Sequence, residues 1–233
     1  MRERLATPWF SLHAWGDLRV RQLVGLFRVA IGLLVLSVLE AGAGGDDLLK
    51  QVETRYNHAK TLQVLFQEQY TRPGEIRRTE SGTLLLRKPG RMRWDYSQPK
   101  GKQFVSDGKF LYLYSPDTNQ VEKTKMQETE DMRAPLAFLL GKLNFSREFR
   151  NIQEIPEGAG MRIKAEPKTE NLPYSAVEFV VTGQGIIREV KVTAFDKSIL
   201  DFTFDQEKMD PPLEAKLFQF QMPAGAKLVD EGQ

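Results

Sequence analysis

Residues 88–96 read Lys88-Pro89-Gly90-Arg91-Met92-Arg93-Trp94-Asp95-Tyr96, a turn signal followed by strict alternation of large apolar or aromatic side chains with charged ones. Successive side chains of a strand point to opposite faces, so Met92, Trp94 and Tyr96 share one face and Arg91, Arg93 and Asp95 the other. Working outward, the same period of two recurs. It appears at Leu62, Val64 and Phe66; at Met161, Ile163 and Ala165; at Val190, Val192 and Ala194; at Leu200, Phe202 and Phe204; and at Phe218, Phe220 and Met222. Turn residues separate these runs at short intervals: Asp107-Gly108, Ser115-Pro116-Asp117, Gly183-Gln184-Gly185 and Asp196-Lys197-Ser198. Short loops of this kind join antiparallel neighbours, so the pattern predicts a mainly β (α+β) chain built on hairpins. The apolar face of such a sheet must curl over a core or be covered, because it cannot stay in water.

Two segments have helical spacing instead. From Asp46, a capping residue, the positions Leu48, Leu49, Val52, Tyr56 and Ala59 fall on one stripe and predict an amphipathic helix. Ala134 to Leu143 reads APLAFLLGKL, with Pro135 suited to a first turn and Gly141 to an end. Its Leu136, Leu139, Leu140 and Leu143 share a stripe, with Phe138 off it, and so apolar a helix is either core buried on both sides or a lid whose greasy surface faces a cavity. The residues alone leave both readings open.

The first 43 residues are set apart by composition. Val29 to Leu39 is an uncharged apolar run, preceded by Arg19, Arg21 and Arg28 and followed by Ala41-Gly42-Ala43. This is the pattern of a secretory signal peptide with cleavage after Ala43, and the run is well short of the ~20 residues a spanning helix requires. The expected organisation is therefore a leader over 1–43 and a single domain over 44–233. Of 33 basic and 31 acidic residues in the chain of 233, five and three lie in the leader, which leaves 28 of each sign. A neutral balance argues against phosphate-backbone recognition as the main activity, so no nucleic-acid partner is expected. Cysteine is absent, which removes disulfides, thiolate metal sites, cysteine nucleophiles and any lipid-attachment cysteine together.

Catalytic signatures are lacking. His58 is the one histidine after residue 43 and sits beside the apolar stripe of the first helix, a structural or exposed position. Asp201 and Asp205 share the polar face of a strand but have polar neighbours, unlike a carboxylate pair tuned for glycoside hydrolysis. Gly183-Gln184-Gly185 is a hairpin turn and not a dinucleotide-binding loop, and Asn144-Phe145-Ser146 matches a glycosylation sequon of the kind that arises by chance. The chain reads as a non-enzyme without cofactor or metal.

The stretch Gly82-Thr83-Leu84-Leu85-Leu86-Arg87-Lys88-Pro89-Gly90-Arg91-Met92-Arg93-Trp94 resembles the G-x-L-x-x-(K/R)-(K/R)-P-x-x-(F/M)-x-W signature of the LolA family of periplasmic outer-membrane lipoprotein carriers. Val105-Ser106-Asp107-Gly108-Lys109 with Leu111-Tyr112-Leu113-Tyr114-Ser115-Pro116 is similar to that family's V-S-D-G-K hairpin and aromatic strand. Phe218 to Ala226 is similar to its closing F-x-F-x-x-P-x-G element. The resemblance implies an incomplete antiparallel β-barrel, a strongly curved sheet with an N-terminal helix and a helical lid over an apolar cavity. It implies a monomeric periplasmic chaperone that receives the acyl chains of lipoproteins from an inner-membrane LolCDE-type ABC transporter and passes them to an outer-membrane LolB-type receptor. That receptor is itself lipid-anchored, and a chain without cysteine matches the soluble carrier.

On that resemblance the ligand-binding residues are Met92, Trp94, Tyr96 and Tyr112 in the cavity, Leu136, Phe138, Leu139 and Leu140 in the lid, and Lys88. The family's best-known polar residue is the arginine directly before the signature proline. Here Lys88 takes that position, either as a latch to lid carbonyls with fewer donors than arginine's planar fork or as a solvated strand-end charge. Burying a ~16-carbon chain at roughly 0.8 kcal/mol per methylene demands a large, dry interior. Two other functions remain: a LolA-like lipid- or lipopeptide-sensing module of envelope stress, and a periplasmic hydrolase using carboxylates in a wetter cleft.

Overall fold

A computed structural model describes residues 45–75, 78–126, 143–169 and 172–230. The chain opens with α1 (Gly45–His58). Six strands follow: β1 (Thr61–Thr71), β2 (Arg78–Arg87), β3 (Arg91–Gln98), β4 (Gln103–Ser106), β5 (Phe110–Ser115) and β6 (Gln120–Lys125). After the one-turn helix α2 (Phe145–Glu148) come β7 (Phe149–Glu157), β8 (Gly160–Pro167), β9 (Tyr174–Thr182), β10 (Ile187–Ala194) and β11 (Ile199–Met209). A 3-10 turn (Ala215–Phe218) then leads to β12 (Lys227–Asp230). All twelve strands belong to one sheet in the order β12-β6-β5-β4-β3-β2-β1-β11-β10-β9-β8-β7. Two hairpin meanders, β1 to β6 and β7 to β11, are thus joined side by side through the antiparallel β1–β11 pair.

The alternation sorts the side chains as expected. Reading across the register, Val64 lies opposite Leu84, Leu84 opposite Trp94, Trp94 opposite Phe104 and Phe104 opposite Leu113. On the other side of β1 a second row runs Phe202, Val190, Phe179 and Ile163. These rows form one continuous inner face on which Val52 and Tyr56 of α1 also lie buried, each such side chain contributing about 1.5–3 kcal/mol of transfer free energy. The helix stripe is therefore as expected: Val52, Tyr56 and Ala59 are buried and Leu48 and Leu49 pack against the core.

Close approach depends on glycine both within the sheet and at a hairpin tip. Gly82 faces Tyr96 on β3 and Phe66 on β1, and a Cβ there would lie 2.1 Å from the Asp95 carbonyl oxygen. Gly185 (φ +70°) tips the β9–β10 hairpin against Gln51 and Val52 of α1, which seats the helix against that turn.

The expected final strand through Phe218, Phe220 and Met222 does not form. Phe218 ends the 3-10 turn, 219–223 belong to no strand, and the last strand is β12, which pairs in parallel with β6. The alternation here has a different cause: Phe218 is buried, Phe220 stacks on Tyr112 at 5.0 Å, and Met222 is exposed. The segment after β11 covers the outer face of β2 to β5. Arg87 donates to the Leu213 carbonyl and Arg93 to that of Leu217 at 3.1 Å.

Elsewhere the outer face is wet and ionic. Arg162 on β8 reaches Glu157, Glu178 and Glu189, and Lys191 reaches Glu189 and Asp201. Of the carboxylates that share a strand face, Asp201 joins this network through Lys191, and Asp205 pairs with Arg188. Asn144 accepts from the Arg147 backbone N–H and so caps α2, a structural use of the sequon asparagine.

Candidate functional site

The inner face carries an aromatic cluster centred on Phe66. Its ring meets Trp94 edge-on at 4.6 Å and Tyr96 edge-on at 5.1 Å, and Trp94 lies 5.3 Å from Phe202, which stacks on Phe204. Met92, Trp94 and Tyr96, named from the alternation, all point into this interior and are buried. Tyr112, named with them, does not join them. Leu111 and Leu113 occupy the inner phase of β5, whereas Tyr112 pairs with Val105 on the outer face and stacks on Phe220. A strand between two covered faces carries apolar groups in both phases, so the aromatic strand could not reveal which of its rings faces inward. Leu136, Phe138, Leu139 and Leu140 lie outside the described residues, as does the 1–43 segment.

At one end the apolar face is interrupted by charge. Glu68 follows Leu62, Val64 and Phe66 in the inner phase of β1 and is buried, accepting from the Tyr96 hydroxyl at 2.9 Å. The Tyr96 ring is in turn covered by the Lys102 ammonium at 4.5 Å, and Lys102 pairs with Glu80. In the sequence Glu68 is a carboxylate where the period of two demands an apolar residue, and that mismatch is its only signal. A buried carboxylate is retained only with partners, and Tyr96 supplies one.

At the other end α1 is tied to the sheet. Lys88 Nζ donates to the Tyr56 carbonyl at 2.5 Å, in the last turn of the helix, where a cation also meets the negative end of the helix dipole. Lys88 is thus neither a free strand-end charge nor, among the described residues, bonded to a lid; its acceptor is the first helix. Partial burial lowers its pKa from the usual lysine value, against the opposing pull of Asp210. Asp210 is held below the usual carboxylate range by the backbone N–H groups of Lys60 and Thr61. Beside this contact the Tyr56 hydroxyl donates to Glu207 and accepts from the Ile187 N–H, while Arg55 grips the other Glu207 oxygen. Tyr56, Leu62, Val64, Leu84, Ile187, Phe204 and Glu207 enclose a space of about 10 Å³, room for a single water. On its opposite flank α1 holds the chain at 143–145: Asn57 exchanges two hydrogen bonds with the Leu143 backbone and Glu53 accepts from the Phe145 N–H.

These phenols give the fold a predictable alkaline limit. Burial, and next the Glu207 charge, lifts Tyr56 well above its ordinary value, and burial with the charge of Glu148 pushes Tyr174 up to about 12. A raised folded-state pKa means that stability is fully present below the unfolded value of ~10 and is lost as pH rises toward the folded one. The melting temperature should therefore stay level to about pH 10 and then drop, and Tyr56→Phe should shallow that drop. An equal slope in both proteins, read by thermal melts between pH 8 and 11, would remove Tyr56 from this account.

Among the described residues no three histidine, aspartate or glutamate side chains could hold a metal ion, and no helix is long and apolar enough to cross a membrane. His58 is exposed and bonds only back to the Thr54 carbonyl of its own helix. Among the described residues the inner face is built of apolar and aromatic side chains, with charged groups at its ends.

Comparison with known proteins agrees with this geometry. An outer-membrane lipoprotein carrier protein of Nitrosomonas europaea is 29% identical over 207 residues, spanning 88% of this chain and 97% of its own. One from Methylobacillus flagellatus is 25% identical over 87% of this chain and 98% of its own, and one from Proteus mirabilis 26% identical over 88% and 98%. The family described as outer membrane lipoprotein carrier protein LolA matches residues 57–221, from the end of α1 to the segment that covers the outer face. A match over most of the chain, on a curved antiparallel sheet with an aromatic inner face, places the protein in the LolA family, a family of carriers and not of enzymes.

Proposed function

We propose that this chain is a periplasmic chaperone that takes up the acyl chains of lipoproteins released from the inner membrane and carries them to the outer membrane. The observation that supports this most is the family match over 57–221, which takes in β1 to β11 of the sheet. In this reading residues 1–43 are a cleaved leader and 44–233 one carrier domain that works as a monomer. An inner-membrane LolCDE-type transporter loads it and an outer-membrane LolB-type receptor unloads it. Met92, Trp94 and Tyr96 contact the acyl chains, together with Leu136, Phe138, Leu139 and Leu140 as the lid. The test is mass spectrometry of lipid and lipoprotein extracted from the protein purified from the periplasm. Recovery of triacylated or diacylated lipoprotein supports the carrier, and recovery of none under conditions that retain bound lipid overturns it.

Loading requires the interior to open, and the Lys88–Tyr56 bond gives that step a cost. A charged donor on a backbone carbonyl contributes about 1–3 kcal/mol, and the half-exposed setting puts Lys88 at the lower end. Lys88→Leu should release the end of α1, raise affinity for an acyl probe about three- to tenfold, slow hand-off by a similar factor, and lower the melting temperature by about 2–4 °C. Lys88→Arg should retain wild-type melting. Affinity and hand-off within twofold of wild type for Lys88→Leu would leave Lys88 a purely structural tie.

A further inference from the structure

Trp94 is the one tryptophan after residue 43, and it is fully buried at the centre of the inner face. Its neighbours are apolar: Leu84 and Phe104 lie directly across it on the two flanking strands, with Phe66 at 4.6 Å and Phe202 at 5.3 Å. Among the described residues its indole Nε1 has no hydrogen-bond partner. Three other polar groups of the same face have partners. The Tyr96 hydroxyl reaches Glu68, the Ser106 hydroxyl reaches the Gly90 carbonyl, and the Tyr56 hydroxyl lies between Glu207 and Ile187. A buried donor without an acceptor is costly, and buried tryptophans ordinarily find one. Phenylalanine would fill much of the same volume without that cost, so packing alone does not account for the indole.

We propose that the Trp94 N–H is a specificity element that reads the acyl carbonyl of the bound lipid, donating to an ester or amide oxygen as the chain enters the interior. The inference rests on the carrier reading above and deepens it: the interior recognises acylated cargo and not hydrocarbon as such. A methylene chain cannot satisfy the indole, whereas the carbonyl at the head of an acyl chain can. The unpaired donor raises the free energy of the empty state and is relieved only by a ligand with an acceptor at that depth, so it separates acyl lipids from equally greasy molecules that lack one. Two sources carry this chemistry in an acylated cysteine, the glyceryl esters and the N-acyl amide.

The experiment uses the protein purified without lipid and a carbonyl-free alkyl fluorophore. Three competitors displace the fluorophore: dipalmitoylglycerol, its dihexadecyl ether analogue, and an N-palmitoyl amide. On the wild type the diester, the amide or both should compete about five- to tenfold better than the diether. Trp94→Phe should abolish that preference, the diester, the amide and the diether then competing within about twofold of one another. The carbonyl compound that loses its advantage identifies ester or amide as the source. Empty Trp94→Phe protein should melt at or above the wild-type temperature, because an orphaned donor has been removed.

The indole N–H resonance of ¹⁵N-labelled wild type, a single signal in the mature chain, provides a readout that needs no variant. It should shift downfield with a carbonyl-bearing probe and not with the diether. A wild-type preference below twofold, or a preference that survives in Trp94→Phe, or an indole signal indifferent to the carbonyl overturns the proposal while the carrier reading stands. Failure of all three competitors to displace the fluorophore overturns both.

Discussion

Gly82→Ala should cost about 3 kcal/mol or more, and Gly82→Val should abolish soluble expression. The added Cβ would stand 2.1 Å from the Asp95 carbonyl oxygen and 2.8 Å from the Tyr96 Cα. Both are backbone atoms of β3, so the contact cannot be relieved by turning a flexible side chain aside. The strands must separate, and separation here opens the ladder exactly where Phe66 and Tyr96 meet across the glycine. For a domain of this size the loss corresponds to a fall of at least ~6 °C in melting temperature. Gly74 is the informative control. It has φ +82° but nothing within 4 Å of its missing Cβ, so Gly74→Ala bears only the backbone cost of roughly 1 kcal/mol. Thermal melts of the two alanine variants that differ by less than 2 °C would show that strand spacing at Gly82 is not limiting. The glycine at the start of this stretch thereby has a physical reason: the β3 backbone at Asp95 and Tyr96 passes too close to leave room for a Cβ.

Glu207→Ala should be the most damaging change at the α1 attachment, at about 2–4 kcal/mol. Its carboxylate is only 7% exposed and serves both the Tyr56 hydroxyl and the Arg55 guanidinium, so its removal strands a buried phenol and a half-buried cation together. Arg55 itself is 31% exposed and can turn to water, which puts Arg55→Ala near 1 kcal/mol. Glu207→Gln keeps an acceptor for Tyr56 and falls between them. The loss should be local as well as global: amide exchange in 45–58 should accelerate in Glu207→Ala before that of β8 to β10 does. Equal destabilisation by Arg55→Ala and Glu207→Ala would mean that the ion pair, and not the buried phenol–carboxylate bond, holds the helix.

The two ends of the interior obey the same logic with different chemistry. At the α1 end, Lys88, Tyr56 and Glu207 convert a helix that would otherwise rest on apolar contacts into one fixed by directional bonds. At the far end, Glu68 and Tyr96 place a satisfied polar pair on the inner face next to the aromatic cluster. Between them, among the described residues, lie the two apolar rows, the Ser106 hydroxyl bonded to the Gly90 carbonyl, and the Trp94 N–H, the donor that an occupant with a polar group in the middle of the face has to address.

What the sequence by itself determined is the class of fold and the identity of most inner residues. The period of two in Arg91–Tyr96 and in the runs at 62–66, 161–165, 190–194 and 200–204 is a local property of the strand, and the turn residues between them are local too, so both survive reading without coordinates. The stripe of α1 is legible for the same reason. Tertiary structure alone decided which faces are covered and what each polar group meets. Alternation shows that Tyr112 and Leu111 face opposite ways but not that a segment a hundred residues later covers the outer side. The same concealment made Phe218, Phe220 and Met222 look like a strand when they are the covering segment itself. The seam between β1 and β11, the parallel docking of β12 on β6 and the acceptor of Lys88 all join residues distant in the chain. Pairings of that kind are fixed by how the whole sheet curls and closes, which no short window of residues encodes.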